Sequence, residues 1–161
     1  MGFGEAVRSC LRKYVDFNGR ARRAEYWWFL LFAIAVGFAA SILDRVIAGG
    51  ATVHRGPISV ITSLALLLPS LGVAVRRLHD IDRTGWWILI FYVVLVVLAV
   101  AAIAAAFTGN ASTALAILLA IGVLSVWLIV WFATRGTTGP NRFGPDPLAG
   151  EAAQNPAAAP A

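Results

Sequence analysis

The sequence predicts an all-α, polytopic membrane protein with four transmembrane helices and a short amphipathic helix at the amino terminus. Hydrophobic residues make up 60% of the chain and charged residues 13%, whereas soluble domains are about half apolar and a quarter charged. The apolar residues form four blocks of 18 to 22 residues, at 26–43, 58–75, 86–107 and 114–133. About 20 helical residues cross the hydrocarbon core, and a lone strand would leave backbone polar groups unpaired in lipid.

Residues 1–25 are predicted to form a cytoplasmic amphipathic segment, because an apolar stripe recurs there at helical spacing. The stripe comprises Phe3, Val7, Cys10, Leu11 and Tyr14, and Arg8, Arg12 and Lys13 lie elsewhere on the helical wheel. The pattern is typical of a helix on the membrane surface, and also of one packed against the protein's own loops. Since Cys10 is the only cysteine and belongs to the stripe, we expect a core residue rather than a thiolate catalyst.

The apolar blocks differ in features that affect insertion and packing. The first has an apolar stretch too long for a signal peptide and follows a flank of 25 residues, which predicts an uncleaved anchor. In the second, Pro69 cannot donate to the carbonyl of Ala65, so we expect a kink. Small residues at fourfold spacing, such as Ala33, Gly37 and Ser41, allow close packing within one chain or between copies.

Basic residues are distributed very unequally across the predicted membrane. Eleven of the 13 Lys and Arg residues lie on one side: Arg8, Arg12, Lys13, Arg20, Arg22, Arg23, Arg76, Arg77, Arg83, Arg135 and Arg142. Only Arg45 and Arg55 lie on the other. The basic side is predicted to be cytoplasmic, with both termini on it. Residues 134–148 are then a cytoplasmic segment rich in Gly, Pro, Asn and Arg, and the Ala/Pro-rich tail 149–161 is expected to be disordered.

Three polar stretches, 17–28, 76–87 and 136–145, lie on this side and contain recognisable motifs. They read Gly19-Arg20 through Glu25-Tyr26-Trp27-Trp28, then Arg76-Arg77-Leu78-His79-Asp80 with Gly85-Trp86-Trp87, then Gly136-Thr137-Thr138-Gly139-Pro140-Asn141-Arg142-Phe143-Gly144-Pro145. Over residues 16–147 the chain resembles the DUF805 family of small bacterial inner-membrane proteins. It departs from that pattern mildly, at Ala24, Asp82 and Thr84. The resemblance implies a four-helix inner-membrane protein and implies no activity.

Ten residues of these stretches form the candidate site for a lipid or a protein partner. They are Arg20, Arg23, Glu25, Arg76, Arg77, His79, Asp80, Arg83, Asn141 and Arg142. If the second spanning helix continues past the membrane, Asp80 can pair with Arg76 or Arg77, and Glu25 can meet Arg77 or Arg83. His79 could titrate near neutrality beside Asp80. The set is interpreted either as an ion network that holds the loops or as a basic cradle for an anionic headgroup or acidic peptide.

Catalytic, metal-binding and nucleic-acid-binding functions are not predicted. His54 and His79 lie on opposite faces of the predicted membrane, there is no cysteine pair, and no His-Glu-x-x-His or Gly-x-Ser-x-Gly motif occurs. We therefore expect no enzyme, no metal and no cofactor. The net charge of +5 is placed beside the apolar blocks, where it predicts topology rather than nucleic-acid binding.

Two functional hypotheses follow for this integral inner-membrane protein. The first is a scaffold that binds anionic lipid, a membrane protein or a second copy through its basic, Trp-rich cytoplasmic face. The alternative is a small transporter or lipid flippase that acts as an oligomer, with a path near Pro69 and Gly72. All four apolar blocks lack Asp, Glu, Lys, Arg and His, which argues against proton-coupled transport.

Overall fold

The structure, a computed structural model, describes residues 1–49 and 56–149. This part of the chain contains five helices and no strand, apart from an isolated bridge between Asn141 and Gly144. The helices are α1 Phe3–Arg12, α2 Arg23–Ile47, α3 Pro57–Asp80, α4 Trp86–Phe107 and α5 Ala111–Ala133. Helices α2 to α5 have 22 to 25 residues and are long and apolar enough to cross a membrane. The predicted fold class is confirmed.

Three of the spanning helices are longer than the apolar blocks that predicted them, whereas α4 has the predicted bounds. Helix α2 starts before the block and ends after it, α3 continues to Asp80, and α5 starts at Ala111. The added turns at one end of the bundle contain Glu25, Arg76 and Arg77. Their side-chain directions are therefore set by helical geometry rather than by loops. The predictions for Arg55, His54 and residues 150–161 lie outside the described residues.

Asp44 connects α2 to the beginning of α3. Asp44 follows the predicted apolar block 26–43, but it lies inside α2, where its side chain is buried. Its carboxylate accepts from the backbone N–H of Ile58 at 3.0 Å and of Ser59 at 2.8 Å. These N–H groups have no intrahelical partner, so the carboxylate caps the amino terminus of α3 from a neighbouring helix. A Cβ on Gly56 would lie 2.3 Å from Asp44 Cγ, which explains the glycine.

Helix α3 continues through Pro69 to Asp80 without interruption. A proline inside a helix leaves the carbonyl four residues earlier without its backbone donor. Here that carbonyl belongs to Ala65, and the hydroxyl of Tyr14 donates a hydrogen bond to it. The segment after α1 therefore satisfies the polar group that Pro69 leaves open.

The bundle is built from two helix pairs joined mainly at one end. Helix α2 packs along α3, α4 packs along α5, and α1 lies across α2 and α3. Contact between the pairs is sparse, and Phe132 of α5 stacks on Tyr26 of α2 with ring centroids 4.4 Å apart. The segment after α5 returns to α2, since Arg22 Nη2 donates to the Pro147 carbonyl at 3.0 Å. We call this end of the bundle, residues 1–25, 76–87 and 132–149, the polar end.

Candidate functional site

Glu25, in the first turn of α2, fastens α1 to the bundle. The residue is 4% exposed, and its carboxylate accepts from Ser9 Oγ at 3.0 Å and from Cys10 Sγ at 3.7 Å. Arg76 of α3 lies on the same oxygen, with Nη2 at 3.4 Å. One carboxylate thus joins α1, α2 and α3.

Arg76 also binds the segment that follows α1. Its side chain is 1% exposed, and Nη1 donates to the backbone carbonyls of Lys13 and Asp16. Its own carbonyl accepts from the N–H of Ala21 at 3.0 Å. Within the described residues its Nε has no partner. The guanidinium therefore neutralises Glu25 and fills the space where residues 13–21 cross α3.

The pairing predicted from spacing was partly wrong. Glu25 meets Arg76 rather than Arg77 or Arg83, and Asp80 meets Arg77 rather than Arg76. Consecutive residues on a helix point about 100° apart. Arg76 and Arg77 therefore reach different neighbours, the first toward α1 and the second toward α5.

Asp80 is the centre of a second buried cluster. Arg20 donates to Asp80 Oδ1 from Nε at 3.0 Å, and Arg77 Nη1 donates to the other carboxylate oxygen. Arg77 also donates to the carbonyls of Phe132, at 3.1 Å, and Thr134. These carbonyls at the end of α5 have no helical donor and carry the negative end of its dipole. The cluster therefore holds the carboxyl terminus of α5 against α3.

The segment after α5 is fitted closely around Asp80. The N–H of Thr137 donates to the Asp80 carbonyl at 2.8 Å, and Asn141 Nδ2 donates to the His79 carbonyl at 2.9 Å. A Cβ on Gly136 would lie 2.1 Å from Asp80 Oδ2. Only glycine allows the backbone to pass this close. The Gly-rich stretch that the sequence analysis singled out is therefore a docking segment for the end of α3.

His79 is not part of the Asp80 cluster. Its Nδ1 donates to the Gly19 carbonyl at 3.1 Å, because a carbonyl can only accept. Its ring stacks on Phe143 with centroids 3.9 Å apart and an interplanar angle of 2°. The suggested interaction of His79 with Asp80 is therefore wrong, since the ring faces the segments before α2 and after α5.

The remaining candidates lie at the edge of the polar end. Arg23 Nη1 donates to the Ala133 carbonyl at 3.3 Å, and Arg142 Nε contacts Asp82 Oδ1 at 3.0 Å. The Arg83 guanidinium lies 4.4 Å from the ring centroid of Trp131, a cation–π contact. Of the ten candidates, five are buried charged residues that bind one another or the backbone: Arg20, Glu25, Arg76, Arg77 and Asp80.

Sequence reasoning missed two kinds of residue at this end. Ser9 and Tyr14 bind Glu25 and the Ala65 carbonyl, and the proline inside a predicted helix was the signal that a donor such as Tyr14 must exist. No comparable signal marked Ser9.

Cys10 was correctly expected in the core. Its burial, and to a smaller extent the nearby Glu25 carboxylate, raises the pKa of its thiol to about 12. The thiol stays protonated at neutral pH and is a poor nucleophile.

Three exposed basic residues lie on α1 and directly after it. Arg8, Arg12 and Lys13 are exposed, and none forms a hydrogen bond or ion pair through its side chain in the described part of the chain. These three residues were not among the candidates.

Among the residues described, no group of three or more His, Cys, Asp or Glu side chains is placed to hold a metal ion.

Comparison with known proteins assigns the chain to a family. The family model described as "Protein of unknown function (DUF805)" matches residues 14–145, a range that contains both charge clusters. The chain belongs to the DUF805 family. The resemblance predicted from the three motifs is confirmed.

Relatives of this DUF805 protein share nearly its full length. It is 35% identical over 144 residues to the inner membrane protein YhaI of Escherichia coli (strain K12), covering 88% of this chain and 94% of the relative. It is 34% identical over 139 residues to the inner membrane protein YhaH of the same organism, covering 85% and 91%. No solved structure matches it. With four helices able to cross a membrane among the described residues, the chain is an integral membrane protein whose relatives are inner membrane proteins.

Proposed function

We propose that this protein is a non-enzymatic scaffold of the inner membrane that binds anionic phospholipid through its polar end. The observation that carries the proposal is the set of exposed cations on α1, Arg8, Arg12 and Lys13, held beside the apolar part of α2. Each basic residue near an anionic membrane surface contributes about 1 kcal/mol to binding. Two of them on α1 and a third directly after it make a lipid-binding surface.

The position of α1 supports a site at the level of lipid headgroups. The ring of Phe3 lies 5.8 Å from Trp28 and 6.4 Å from Phe32, both in the first three turns of α2. On the side of α1 that faces the bundle, Ala6 and Cys10 are fully buried, and Arg8 and Arg12 lie on the opposite side. Such a helix lies along the boundary between hydrocarbon and headgroups, with its cations exposed to the headgroups and its apolar residues facing the acyl chains.

The buried candidates have a different role in this proposal. Arg76 and Arg77 are occupied by carboxylates and backbone carbonyls. Arg76 Nε, which has no partner in the described residues, is buried and out of reach of a ligand. The two arginines hold α1 and the segment after α5 in place. Exposed cations, including Arg83 and Arg142 of the original candidates, then provide the charge that a lipid meets.

We propose in addition that the polar end is cytoplasmic. Eleven of the 13 basic residues belong to segments at this end or just beyond α5, as expected for the cytoplasmic side. A reporter that is active only in the cytoplasm, fused after Gly150, should be active. Activity of a periplasm-specific reporter at the same position would reverse the orientation.

Lipid selectivity tests the scaffold proposal. The full-length protein would be reconstituted in nanodiscs of equal phosphatidylglycerol and phosphatidylcholine, released gently, and its retained lipids quantified. We expect phosphatidylglycerol to be enriched, and the enrichment to disappear in the variant Arg8→Gln/Arg12→Gln/Lys13→Gln. Arg45→Gln, at the other end of α2, is the matched control and should keep the enrichment. Equal retention of both lipids by the wild type would overturn the proposal.

The transport hypothesis makes a different prediction. Four helices in two loosely joined pairs would need a second copy to enclose a polar path, so a transporter should be recovered as an oligomer and should move lipid or solute in vesicles. No described feature specifically favours it. Protein-dependent flux from reconstituted oligomers would favour transport over the scaffold.

A further inference from the structure

Two adjoining hollows share the arginines of α1. The first hollow, of about 740 Å³, is lined by Glu5, Arg8, Ser9, Arg12 and Lys13, together with backbone near the amino terminus, and we call it the polar hollow after these side chains. An apolar groove of about 500 Å³ is lined by Phe3, Val7, Leu11 and Phe32, and again by Arg8 and Arg12. Both are shallow and open along the exposed side of α1 rather than enclosed. The two arginines form the ridge between them.

We infer that these hollows are a single site for one anionic glycerophospholipid. Its phosphate lies on Arg8 and Arg12 in the polar hollow, and one acyl chain lies in the apolar groove between α1 and α2. This inference rests on the proposed lipid-binding function and extends it. It replaces a diffuse attraction to charge with a defined position for one lipid molecule.

The polar hollow has the chemistry of a phosphodiester site. Arg8 and Arg12 are one helical turn apart, so both guanidinium groups can donate to the same phosphate, and Lys13 adds an ammonium. Glu5 is the one carboxylate in the lining. It accepts from the Gly2 N–H at 2.8 Å and lies 4.0 Å from the terminal amine of Met1. Its charge is therefore offset at the amino terminus, and the arginines remain available.

The apolar groove has the chemistry of an acyl-chain site. Phe3 is 45% exposed and Leu11 is 42% exposed, which leaves a continuous apolar surface directly beside two cations. A soluble phosphate or an acidic peptide would use the cations and leave this surface uncovered. A phospholipid covers both, and α1 lies where such lipids are present.

Photo-crosslinking tests where the acyl chain of the lipid lies. The full-length protein would be reconstituted with phosphatidylglycerol that carries a diazirine in one acyl chain, irradiated, digested and sequenced by mass spectrometry. We expect the crosslinks to concentrate on α1 and around Phe32, and to fall at least fivefold in Leu11→Ser. Val15→Ser removes an exposed apolar side chain just outside the groove and should leave them unchanged.

A second variant tests whether the two arginines bind the phosphate of the headgroup. Arg8→Gln/Arg12→Gln should reduce the same crosslinks by more than tenfold, because each arginine contributes about fivefold. Arg45→Gln removes a charge at the other end of α2, away from the groove, and should reduce them less than twofold. Retained labelling of Cys10 at the wild-type rate confirms that α1 is still docked in each variant.

The outcomes separate the site from the scaffold function. If phosphatidylglycerol is enriched but the crosslinks are spread evenly over all helices, the groove site is wrong and the scaffold proposal stands. If neither enrichment nor crosslinks are found, both are wrong. Competition by deacylated glycerophosphoglycerol at the crosslinked position would show a free-phosphate site and overturn the lipid assignment.

Discussion

Single residues of the polar end differ sharply in whether their charge is used for folding or is available for binding. Glu25 and Arg76 are almost fully buried and satisfy each other, whereas Arg142 and Asp82 form an ion pair with side chains 57% and 48% exposed. Removing one member of a buried pair leaves an unpaired charge, which costs about 3 kcal/mol or more. Exposed pairs contribute about 1 kcal/mol or less.

Glu25→Ala should therefore destabilise the protein strongly, by about 3 kcal/mol, while Arg142→Ala should have little effect. Thermal unfolding of both variants in the same detergent measures the difference. Loss of Glu25 should also free α1, so Cys10 should react faster with a maleimide at pH 8, where a thiol of pKa about 12 is almost fully protonated. Equal melting temperatures for the two variants would show that the buried pair does not hold the polar end together.

Gly136 is a second residue with a specific steric role. Because a Cβ there would collide with the Asp80 carboxylate, Gly136→Ala should destabilise by about 1–3 kcal/mol. Gly37→Ala is the matched control, since nothing lies within 4 Å of its added Cβ. Alanine is also the better helix former at that position. Unfolding of the two variants side by side should show a loss at Gly136 alone; equal stability would mean that the segment after α5 can move away.

At the scale of elements, Tyr14 links the segment after α1 to the interior of α3. Its hydroxyl donates a hydrogen bond to the Ala65 carbonyl, which Pro69 leaves without a backbone donor. Tyr14→Phe should cost about 1 kcal/mol of stability. In a Pro69→Ala background the helix regains its own backbone donor, so the same substitution should cost much less. A double-mutant cycle of unfolding free energies measures this coupling; additive effects would show that the two residues are independent.

The elements also show which predictions sequence patterns can support. Hydropathy alone identified the four spanning helices because a bilayer requires about 20 apolar residues in each. It did not find the ends of α2 and α3, since their last turns contain Asp44 and Arg77, charged residues that a hydropathy pattern excludes. Those turns are stable because neighbouring helices and loops satisfy the charges. Spacing found the Arg77–Asp80 pair, which is local, and missed Glu25–Arg76, which depends on how α2 packs on α3.

At the scale of the whole molecule, the polar residues of the described chain serve two purposes at one end of the bundle. Buried clusters around Glu25 and Asp80 hold α1, the helix pairs and the segment after α5 together. Exposed cations of α1 remain outside those clusters. The motifs recognised in the sequence marked the first group, because a buried network constrains residue identity. They did not mark Arg8 or Arg12, which precede the matched range 14–145.

The most direct test of the lipid-binding account is the dissociation constant for fluorescent phosphatidylglycerol in neutral micelles, measured on the full-length protein at low and high salt. We predict binding that weakens with salt, because the exposed charges are screened. The variant Arg8→Gln/Arg12→Gln/Lys13→Gln should bind about 100-fold more weakly, with a phosphatidylcholine probe unaffected. Identical dissociation constants for wild type and variant at low salt would contradict the account.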